Sequence, residues 1–342
     1  MNSFQPKMLG ITLAICTHNG RQKLEQTLLH VLAQDVPNTI NWELLVVDNA
    51  STDGTAEFVR SLWPENRTHH LRIIREEKPG ALHARLRAIQ EARYGYLSYI
   101  DDDNWVSSNW VAEVYRIFET YPDVGMISCP SVAHLSESPP NYFERWKGWL
   151  AVGSRFEDER LIDTRPITFW TAGLSLRLEA LTPLFDTAYM PCLTGRTGKH
   201  TYAGEDHELC LTLSLLGWYA YFSRKIQFVH EIPPARLEVS YLERMFQNGG
   251  RNALILDIYR NEYRQRLLFH PRLAIIEYLW TFLDRTARYR IKKFIGKANT
   301  PLHLNRVSYL TALGRVQSYF IHFARIGQAQ QNIRILRQIG RS

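Results

Sequence analysis

The sequence predicts an α/β protein with a mainly parallel central sheet flanked by helices, followed by a C-terminal helical extension. Short apolar strand patterns alternate with helical patterns four times within about one hundred residues. Such alternation is typical of a parallel sheet with helices on both faces. From residue 267 onward, apolar residues recur at helical spacing instead. These two patterns together predict the fold class.

Each of the first four strands is predicted from a short apolar run. The runs cover residues 11–16, 42–47, 71–74 and 96–100. Helical spacing follows the first run over residues 21–34, the second after Gly54, and the third through Ala84 and Ala88. A further helix is predicted over residues 110–121 and a strand over residues 124–128.

Polar residues follow all four strands. The four groups are Thr17-His18-Asn19, Asp48-Asn49, Glu76-Glu77-Lys78 and Asp101-Asp102-Asp103. In sheets of this class, ligands bind in the crevice at the carboxyl ends of the strands. The sequence therefore predicts a polar binding site at this edge.

The acidic triplet Asp101-Asp102-Asp103 fits two interpretations. Three adjacent carboxylates repel one another, and a divalent cation such as Mg²⁺ or Mn²⁺ would relieve that repulsion while holding a diphosphate. The triplet could equally be a solvated turn, or the N-cap of a helix that starts at Trp105.

Composition limits the class of protein. The chain has 342 residues, of which 45% are hydrophobic and 22% charged. This apolar fraction is enough for a large core, and the composition argues against disorder. No run of about 18 apolar residues and no signal pattern occurs, so we expect no membrane span and a cytoplasmic location. The four cysteines have neither zinc nor disulfide spacing, and we expect reduced thiols.

Charge divides the chain in two. Residues 260–342 hold 16 Lys and Arg against 3 Asp and Glu (+13), whereas residues 1–259 hold 25 against 31 (−6). We therefore predict two regions with different partners, a first domain over residues 1–259 and a basic helical region over residues 260–342.

Two common nucleotide-binding motifs are absent. No G-x-G-x-x-G follows the first strand, and no G-x-x-x-x-G-K-[ST] occurs. A bound nucleotide would have to be held by acidic and amide groups.

Several ordered motifs over about residues 10–255 resemble family 2 glycosyltransferases, which have the GT-A fold. The motifs are Thr17-His18-Asn19, Val46-Val47-Asp48-Asn49-Ala50-Ser51-Thr52-Asp53-Gly54, Lys78-Pro79-Gly80 through Ala84-Arg85, and Asp101-Asp102-Asp103. The resemblance implies an inverting transferase that uses a nucleotide-diphospho-sugar donor and Mn²⁺ or Mg²⁺. It also implies that the domain over residues 1–259 is a GT-A glycosyltransferase domain with a nucleotide-sugar half (10–130) and an acceptor half (131–259).

The resemblance also implies roles for single residues. Asp48 and Asn49 would face the base and ribose, while Lys78 and Arg85 would approach the nucleotide or its diphosphate. Asp101 and Asp103 would be the two ends of the D-x-D motif, with Asp103 as the direct metal ligand. The remaining donor-site residues are Thr17, Asn19 and Asp102.

Plainer interpretations stay open for these residues. Asp48 could simply form a turn, and Lys78 and Arg85 could be a solvated pair. Leu86 departs from the family, whose members often carry a polar residue after the arginine.

The acceptor half is less regular. Residues 134–165 are expected to form a variable loop and helix segment over the acceptor side, or a plain surface insertion. Residues 169–177 are predicted as a strand in which Gly173 allows a ligand to approach closely. Trp170 would stack on a sugar face, or else be a core residue.

A second acidic cluster begins at Glu205-Asp206 and matches the family's E-D motif. Inverting transfer needs a base to take the acceptor proton, and a carboxylate can do so. We assign Asp206 as the base and Glu205 to the positioning of the acceptor or of Asp206. Acidic residues also suit a helix N-terminus through the dipole alone.

His230 ends a strand predicted over residues 219–229 and resembles a histidine that relatives use near the metal or diphosphate. A structural histidine is the alternative. Downstream, Gln247-Asn248-Gly249-Gly250-Arg251 departs from the Q-x-x-R-W motif of polysaccharide synthases in spacing and lacks its Trp, which argues against a processive synthase.

The basic region is predicted to form helices over residues 271–295 and 304–339. Basic amphipathic helices can lie on an anionic membrane surface. Packing on the catalytic domain, or a homodimer contact, would also explain them. No nucleic-acid motif accompanies the charge, so nucleic-acid binding is not expected.

The sequence thus favours a metal-dependent inverting glycosyltransferase acting on a glycan or lipid-linked acceptor in surface polysaccharide or glycoconjugate synthesis. Two alternatives remain at this point. One is a sugar-phosphate nucleotidyltransferase, which normally opens with a glycine-rich basic loop that Thr17-His18-Asn19-Gly20-Arg21 matches poorly. The other is an inactive sugar-binding protein of the same fold.

Overall fold

A computed structural model describes residues 7–163, 166–195, 204–264, 270–295 and 302–340, with the backbone alone at residues 67–69. The elements are, in chain order, β1 (Met8–Thr17), α1 (Leu24–Leu32), β2 (Trp42–Asn49), α2 (Thr55–Leu62), β3 (Leu71–Glu76), α3 (Ala81–Glu91), β4 (Tyr94–Ile100), β5 (Asn104–Val106), α4 (Trp110–Thr120), β6 (Val124–Ser128), β7 (Ser131–His134), α5 (Phe143–Trp146), β8 (Arg160–Ile162), β9 (Ser175–Arg177), α6 (Thr182–Phe185), α7 (Glu205–Leu215), β10 (Tyr219–Phe222), β11 (Phe228–Glu231), α8 (Pro234–Leu237), α9 (Val239–Arg251), α10 (Ala253–Tyr263), α11 (Ala274–Phe294), α12 (Leu304–His322) and α13 (Ile326–Ile339).

The larger sheet has eight strands in the order β3-β2-β1-β4-β9-β6-β10-β8. Strands β1 to β4 are parallel to one another, and β6 is parallel to β10. Strand β9 runs antiparallel to β4 and β6, and β8 antiparallel to β10. The predicted mainly parallel sheet is confirmed.

Helices cover both faces of this sheet, which is why its central strands are continuous apolar runs. Along β1, Ile11, Leu13 and Ile15 belong to one buried cluster, which includes residues of α1 and α4. Ala14 belongs to the other cluster, which includes residues of α3 and α7. The alternation follows from the two-residue period of a strand.

A second, three-stranded sheet has the order β5-β11-β7. Strand β5 begins at Asn104, directly after the acidic triplet, and β11 pairs with it antiparallel, with His230 opposite Asn104. The segment that starts at Asn104 is therefore a strand, and the helix N-cap interpretation of the triplet is wrong.

The C-terminal helices pack on the rest of the chain through α9 and α12. At their crossing, a Cβ on Gly250 would lie 2.2 Å from the Thr311 carbonyl oxygen, and one on Gly314 would lie 2.0 Å from that of Gln247. The backbones of α9 and α12 can approach so closely because glycine stands at both positions. The predicted boundary between residues 259 and 260 falls inside α10.

Three predicted elements differ from the structure. Only Ser175–Arg177 of the predicted strand 169–177 is a strand, because Leu174 N donates to the Thr171 carbonyl and Gly173 has φ +72°, a turn geometry. The predicted strand 219–229 is two strands in different sheets. The predicted helix 304–339 is interrupted by a 3₁₀ turn at Phe323–Arg325.

All four cysteines are free, as the sequence predicts. None of the helices in the described part of the chain combines the length and apolarity that crossing a bilayer requires.

Candidate active site

The polar strand ends meet at one edge of the large sheet. Thr17 at the end of β1 pairs with Asp48 at the end of β2, and Ile15 pairs with Ile100, the last residue of β4. The acidic triplet therefore follows directly at this edge. The Thr17 hydroxyl donates to Asp102 Oδ2 at 2.7 Å, which brings two of the predicted groups into contact.

Asp48 lies at a cavity of about 410 Å³ between the end of β2, the start of α2 and β3. Its Oδ1 accepts a hydrogen bond from Ser51 N, the predicted turn interaction. Its Oδ2 accepts from Arg75 Nη1 at 3.1 Å. Arg75, which lines the same cavity, was not among the residues predicted from the sequence.

Asn19 and Asn49 hold loops rather than face the cavity. Asn49 Nδ2 donates to the carbonyl oxygens of Glu76 and Lys78, and its Oδ1 accepts from Gly80 N. Asn19 Oδ1 accepts from Thr52 N. These amides order the loops at the site, while the Lys78 side chain is exposed.

The three aspartates have three different surroundings. Asp101 is partly exposed, with Oδ1 3.9 Å from Arg85 Nη2. Asp102 accepts a hydrogen bond from the Thr17 hydroxyl, and its Oδ1 lies 3.9 Å from Lys23 Nζ. Burial raises the pKa of Asp102 to about 6, opposed by the charge of Lys23 and reinforced by that of Asp103. The triplet is therefore not a uniform acidic patch.

Asp103 is buried at 5% exposure and faces two groups from the β11–α8 segment. Its Oδ1 is 3.5 Å from His230 Nε2, and its Oδ2 is 3.1 Å from Arg236 Nη2. Arg236 Nη1 also lies 3.2 Å from His230 Nε2. Burial alone would raise the pKa of Asp103, but the hydrogen bond and charge of His230 and the charge of Arg236 hold it well below its usual range.

Asp103 and His230 have the side-chain chemistry to hold a divalent cation. They offer one carboxylate oxygen and one imidazole nitrogen 3.5 Å apart, whereas the positive charge of Arg236, which pairs with Asp103, opposes a cation there. Over the described residues, no group of three or more His, Cys, Asp or Glu is arranged for a metal ion. Such a two-ligand site leaves the other positions to water and substrate phosphates, as Mg²⁺ sites commonly do. Asp101 points to Arg85 instead, so its role as metal ligand stays a prediction.

Arg85 and Glu205 form a buried ion pair that joins the two acidic motifs. Arg85 Nη1 donates to Glu205 Oε1, and Arg85 Nη2 faces Asp101. Burial lowers the pKa of Arg85, but the charges of Glu205, Asp101 and Asp206 outweigh it and raise that pKa. Glu205 thus positions Arg85 rather than standing free for an acceptor.

Asp206 is more open than Glu205. It lies in the first turn of α7 and is partly exposed, and its Oδ1 accepts a hydrogen bond from His207 N. The helix N-terminus favours its negative charge. Of the two motif carboxylates, Asp206 is the one that could take a proton from a bound hydroxyl.

The two residues predicted for the acceptor side, Gly173 and Trp170, both pack against the protein core. A Cβ on Gly173 would lie 2.8 Å from the Phe228 ring and 3.1 Å from Trp110, so core packing excludes any larger residue. The expected close approach at Gly173 is therefore to Phe228, not to a ligand. Trp170 is partly buried against the core, and sugar stacking on it stays a prediction.

Sequence reasoning missed Arg75, Arg236 and Lys23 as residues of the site. The spacing of Arg236 from His230 carries no motif. Arg75 follows the predicted strand 71–74 directly, so its position at a strand end was a usable signal.

Comparisons with known proteins identify the family. Residues 12–181 match the family described as Glycosyl transferase family 2. TuaG of Bacillus subtilis (strain 168), a glycosyltransferase assigned to teichuronic acid biosynthesis, is 33% identical over 106 residues, which cover 31% of this chain and 39% of TuaG. The succinoglycan biosynthesis protein ExoM of Rhizobium meliloti (strain 1021) is 25% identical over 254 residues, covering 72% of this chain and 75% of ExoM.

Two solved structures share the fold. The mannosyltransferase PcManGT from Pyrobaculum calidifontis, solved in complex with GDP-Man and Mn²⁺, has a TM-score of 0.57 at 18% identity and covers 93% of this chain and 88% of its own. S. aureus TarS 1-349 in complex with UDP has a TM-score of 0.50 at 13% identity and covers 92% of both chains. Both are GT-A fold glycosyltransferases, which confirms the predicted fold.

Proposed function

Since the chain belongs to glycosyl transferase family 2 through residues 12–181, we propose that it transfers a sugar from a nucleotide-diphospho-sugar to a hydroxyl group. The acceptor would be a glycan or a lipid-linked glycan in surface polysaccharide synthesis. The names of TuaG and ExoM, two relatives, support that setting.

One observation carries the proposal. Arg85 contacts both Asp101, in the triplet after β4, and Glu205, in the motif that opens α7. The two acidic motifs are therefore parts of one crevice, although about one hundred residues separate them. A donor site and an acceptor base must be neighbours in a single-displacement transfer.

On the donor side, Asp103 and His230 would hold Mn²⁺ or Mg²⁺. The ion would supply Lewis-acid neutralisation of the leaving diphosphate. The cavity at Asp48 and Arg75 offers a carboxylate and a guanidinium to the nucleoside. Arg85 would add a fixed positive charge toward the diphosphate, held in place by Glu205.

On the acceptor side, Asp206 would act as the base. Its partly exposed carboxylate would accept the proton of the acceptor hydroxyl, whose oxygen then attacks the anomeric carbon from the face opposite the nucleotide. The attacking oxygen forms the new glycosidic bond as the bond to the diphosphate breaks, which inverts the anomeric configuration.

We further propose that α11 rests on the inner face of a membrane, peripherally, from the cytoplasm. Its exposed apolar side chains include Ile276, Trp280, Leu283, Ile291 and Phe294, which helical periodicity places on one side of the helix together with Leu273 just before it. Helical periodicity places Arg290 on one side of this α11 stripe and Arg288, which pairs with Asp284 at 2.9 Å, on the other. An apolar stripe with flanking cations fits anionic lipid.

The opposite side of α11 packs on α12 through Tyr278, Phe282 and Tyr289. That packing accounts for the buried side of α11, and the α11 stripe faces away from α12. The homodimer expected as an alternative would bring two helices of like positive charge together, which is unfavourable.

A donor-turnover assay tests the transfer. The chain is incubated with Mn²⁺, a panel of UDP-, GDP-, CMP- and dTDP-sugars, and a mixture of lipid-linked glycans, and nucleotide release is measured. We expect nucleotide release with one donor type, stimulated by acceptor and reduced about 10²- to 10⁴-fold in Asp206→Asn. Release that is unchanged in both Asp103→Ala and Asp206→Ala would contradict the mechanism.

A further inference from the structure

A second cavity, of about 110 Å³, lies beside Asp206, and the mechanism above does not use it. Its walls come from α3, from residues 181–191 and from α7. Arg85, Glu205 and Asp206 line its polar end. The cavity therefore lies between Arg85, which is predicted to face the diphosphate, and Asp206, the predicted base. The transferred sugar would lie between these two side chains.

Most of its wall is apolar. The apolar side chains include Leu86, Ile89, Leu181, Leu184 and Leu209. Leu86 is the residue at which the sequence departs from the family's frequent polar residue. That departure makes the wall of this cavity apolar at the position next to Arg85.

Thr171 supplies one polar atom in this apolar surrounding. It is 4% exposed, lines the cavity, and its hydroxyl has no hydrogen-bond partner among the described residues. An unpaired buried hydroxyl is unfavourable, and native structures seldom retain one without a reason. A bound group carrying one hydrogen-bonding atom would pair with it.

We propose that this cavity receives the N-acyl group, in its simplest form N-acetyl, of the donor sugar; this inference rests on the proposed function. The methyl group would contact Leu86 and Leu209, and the amide would pair with the Thr171 hydroxyl. The volume suits a group of several non-hydrogen atoms, since one bound water needs roughly 10–15 Å³.

Other sugar substituents fit less well. A bare hydroxyl would place a polar group against apolar walls and leave most of the cavity unfilled. A deoxy-sugar methyl would leave Thr171 unpaired. The donor, rather than the acceptor, is assigned because the cavity extends along α3, the helix that carries Arg85.

Matched donors test the assignment by isothermal titration calorimetry with Mn²⁺. The probes are UDP, UDP-N-acetylglucosamine and UDP-glucose, with GDP, CMP and dTDP as further nucleotides. We expect the N-acetylated sugar nucleotide to bind at least tenfold more tightly than its hydroxyl counterpart. Thr171→Val, which removes one neutral hydrogen bond, should reduce that ratio about fivefold and leave UDP affinity unchanged.

Two more variants complete the test. Leu86→Asn should also reduce the ratio, because it makes the wall polar. Thr187→Val is the matched control, since the Thr187 hydroxyl donates to the Leu184 carbonyl and Thr187 does not line the cavity. Thermal unfolding checks the fold: Thr171→Val should unfold at or above the wild-type temperature, because its hydroxyl is unpaired.

Equal affinity for the two UDP-sugars, or an unchanged ratio in Thr171→Val, would overturn the inference. If GDP, CMP or dTDP binds in place of UDP, the same comparison is made between the N-acylated and hydroxyl sugars of that nucleotide. Equal affinity for those two sugars would then overturn the inference while leaving the proposed function intact. Failure of every nucleotide to bind would contradict the proposed function itself.

Discussion

His230 Nε2 lies 3.5 Å from the Asp103 carboxylate, at the place where β11 pairs with β5. The Glu231 N–H donates to the Asp103 carbonyl, which fixes the two backbones at this point. The pairing of two strands distant in sequence thus forms the pair of ligands that a divalent cation would need, with Arg236 lying against it.

Removing Arg236 should strengthen cation binding. Its guanidinium is 3.1 Å from Asp103 Oδ2 and places a positive charge against the carboxylate that would bind the cation. Arg236→Ala should lower the melting temperature without metal, because a buried carboxylate loses its positive partner. The rise in melting temperature on adding Mn²⁺ should then exceed that of wild type, as measured by differential scanning fluorimetry.

Arg236→Lys is the control for this prediction. It keeps a positive charge near Asp103 and should give a Mn²⁺ effect close to that of wild type. An identical Mn²⁺ effect in wild type and Arg236→Ala would show that the arginine and the cation do not compete.

The two carboxylates at the start of α7 should respond differently to mutation. Asp206→Asn should reduce transfer about 10²- to 10⁴-fold, the typical contribution of a general base, with little effect on stability or donor affinity. Glu205→Ala should instead destabilise the fold by about 3–5 kcal/mol, because it leaves Arg85 buried without its main partner. Urea unfolding and initial-rate kinetics measure the two effects. A stable, inactive Glu205→Ala would reverse the assigned roles.

The strand ends, the acidic motifs and the charge of the C-terminal region could all be predicted from the sequence, because they follow from local pattern and composition. The partners of those residues could not. That Arg236 meets Asp103 depends on the pairing of β11 with β5, and that Glu205 holds Arg85 depends on how α7 packs beside α3. Local pattern also merged β10 and β11, since both strands are largely apolar and only residues 223–227 separate them.

Stability should fall with acidification partly through His322. This residue is 3% exposed, and burial together with the charge of Arg325 lowers its pKa from 6.5 to about 4. Since the unfolded chain binds the proton more tightly, the contribution of His322 is present above pH 6.5 and lost as pH falls toward 4. The loss would be about 3 kcal/mol at most, at about 1.36 kcal/mol for each pH unit.

Urea unfolding of wild type and His322→Leu at several pH values between 4 and 7 measures the contribution of His322 to the free energy of unfolding. The variant should lose less stability than wild type over that interval. Parallel curves for the two proteins would assign the acid sensitivity to other groups.

The α11 stripe should bind anionic vesicles. Wild-type protein should float with vesicles containing phosphatidylglycerol, less so with phosphatidylcholine alone, and less at high salt, because the attraction is partly electrostatic. The double change Trp280→Ser with Leu283→Ser should abolish flotation. Leu161→Ser, at an exposed leucine on β8, is the matched control.

Equal flotation of wild type and the double variant would contradict the membrane assignment. A wild-type dimer in sedimentation that the double variant converts to monomer would assign the α11 stripe to self-association instead.

The most direct test of the central claim is nucleotide-dependent thermal stabilisation. Wild type, Asp103→Asn and the control Asp186→Asn, at an exposed aspartate outside the site, are heated with UDP, GDP, CMP or dTDP, each with and without Mn²⁺. Ligand bound to the native state raises the melting temperature by mass action, about 2.7 kcal/mol of stabilisation at a hundredfold excess over Kd. The account predicts a shift for one nucleotide that requires Mn²⁺, persists in Asp186→Asn and disappears in Asp103→Asn. A shift that is independent of both Mn²⁺ and Asp103, or no shift with any nucleotide, would contradict it.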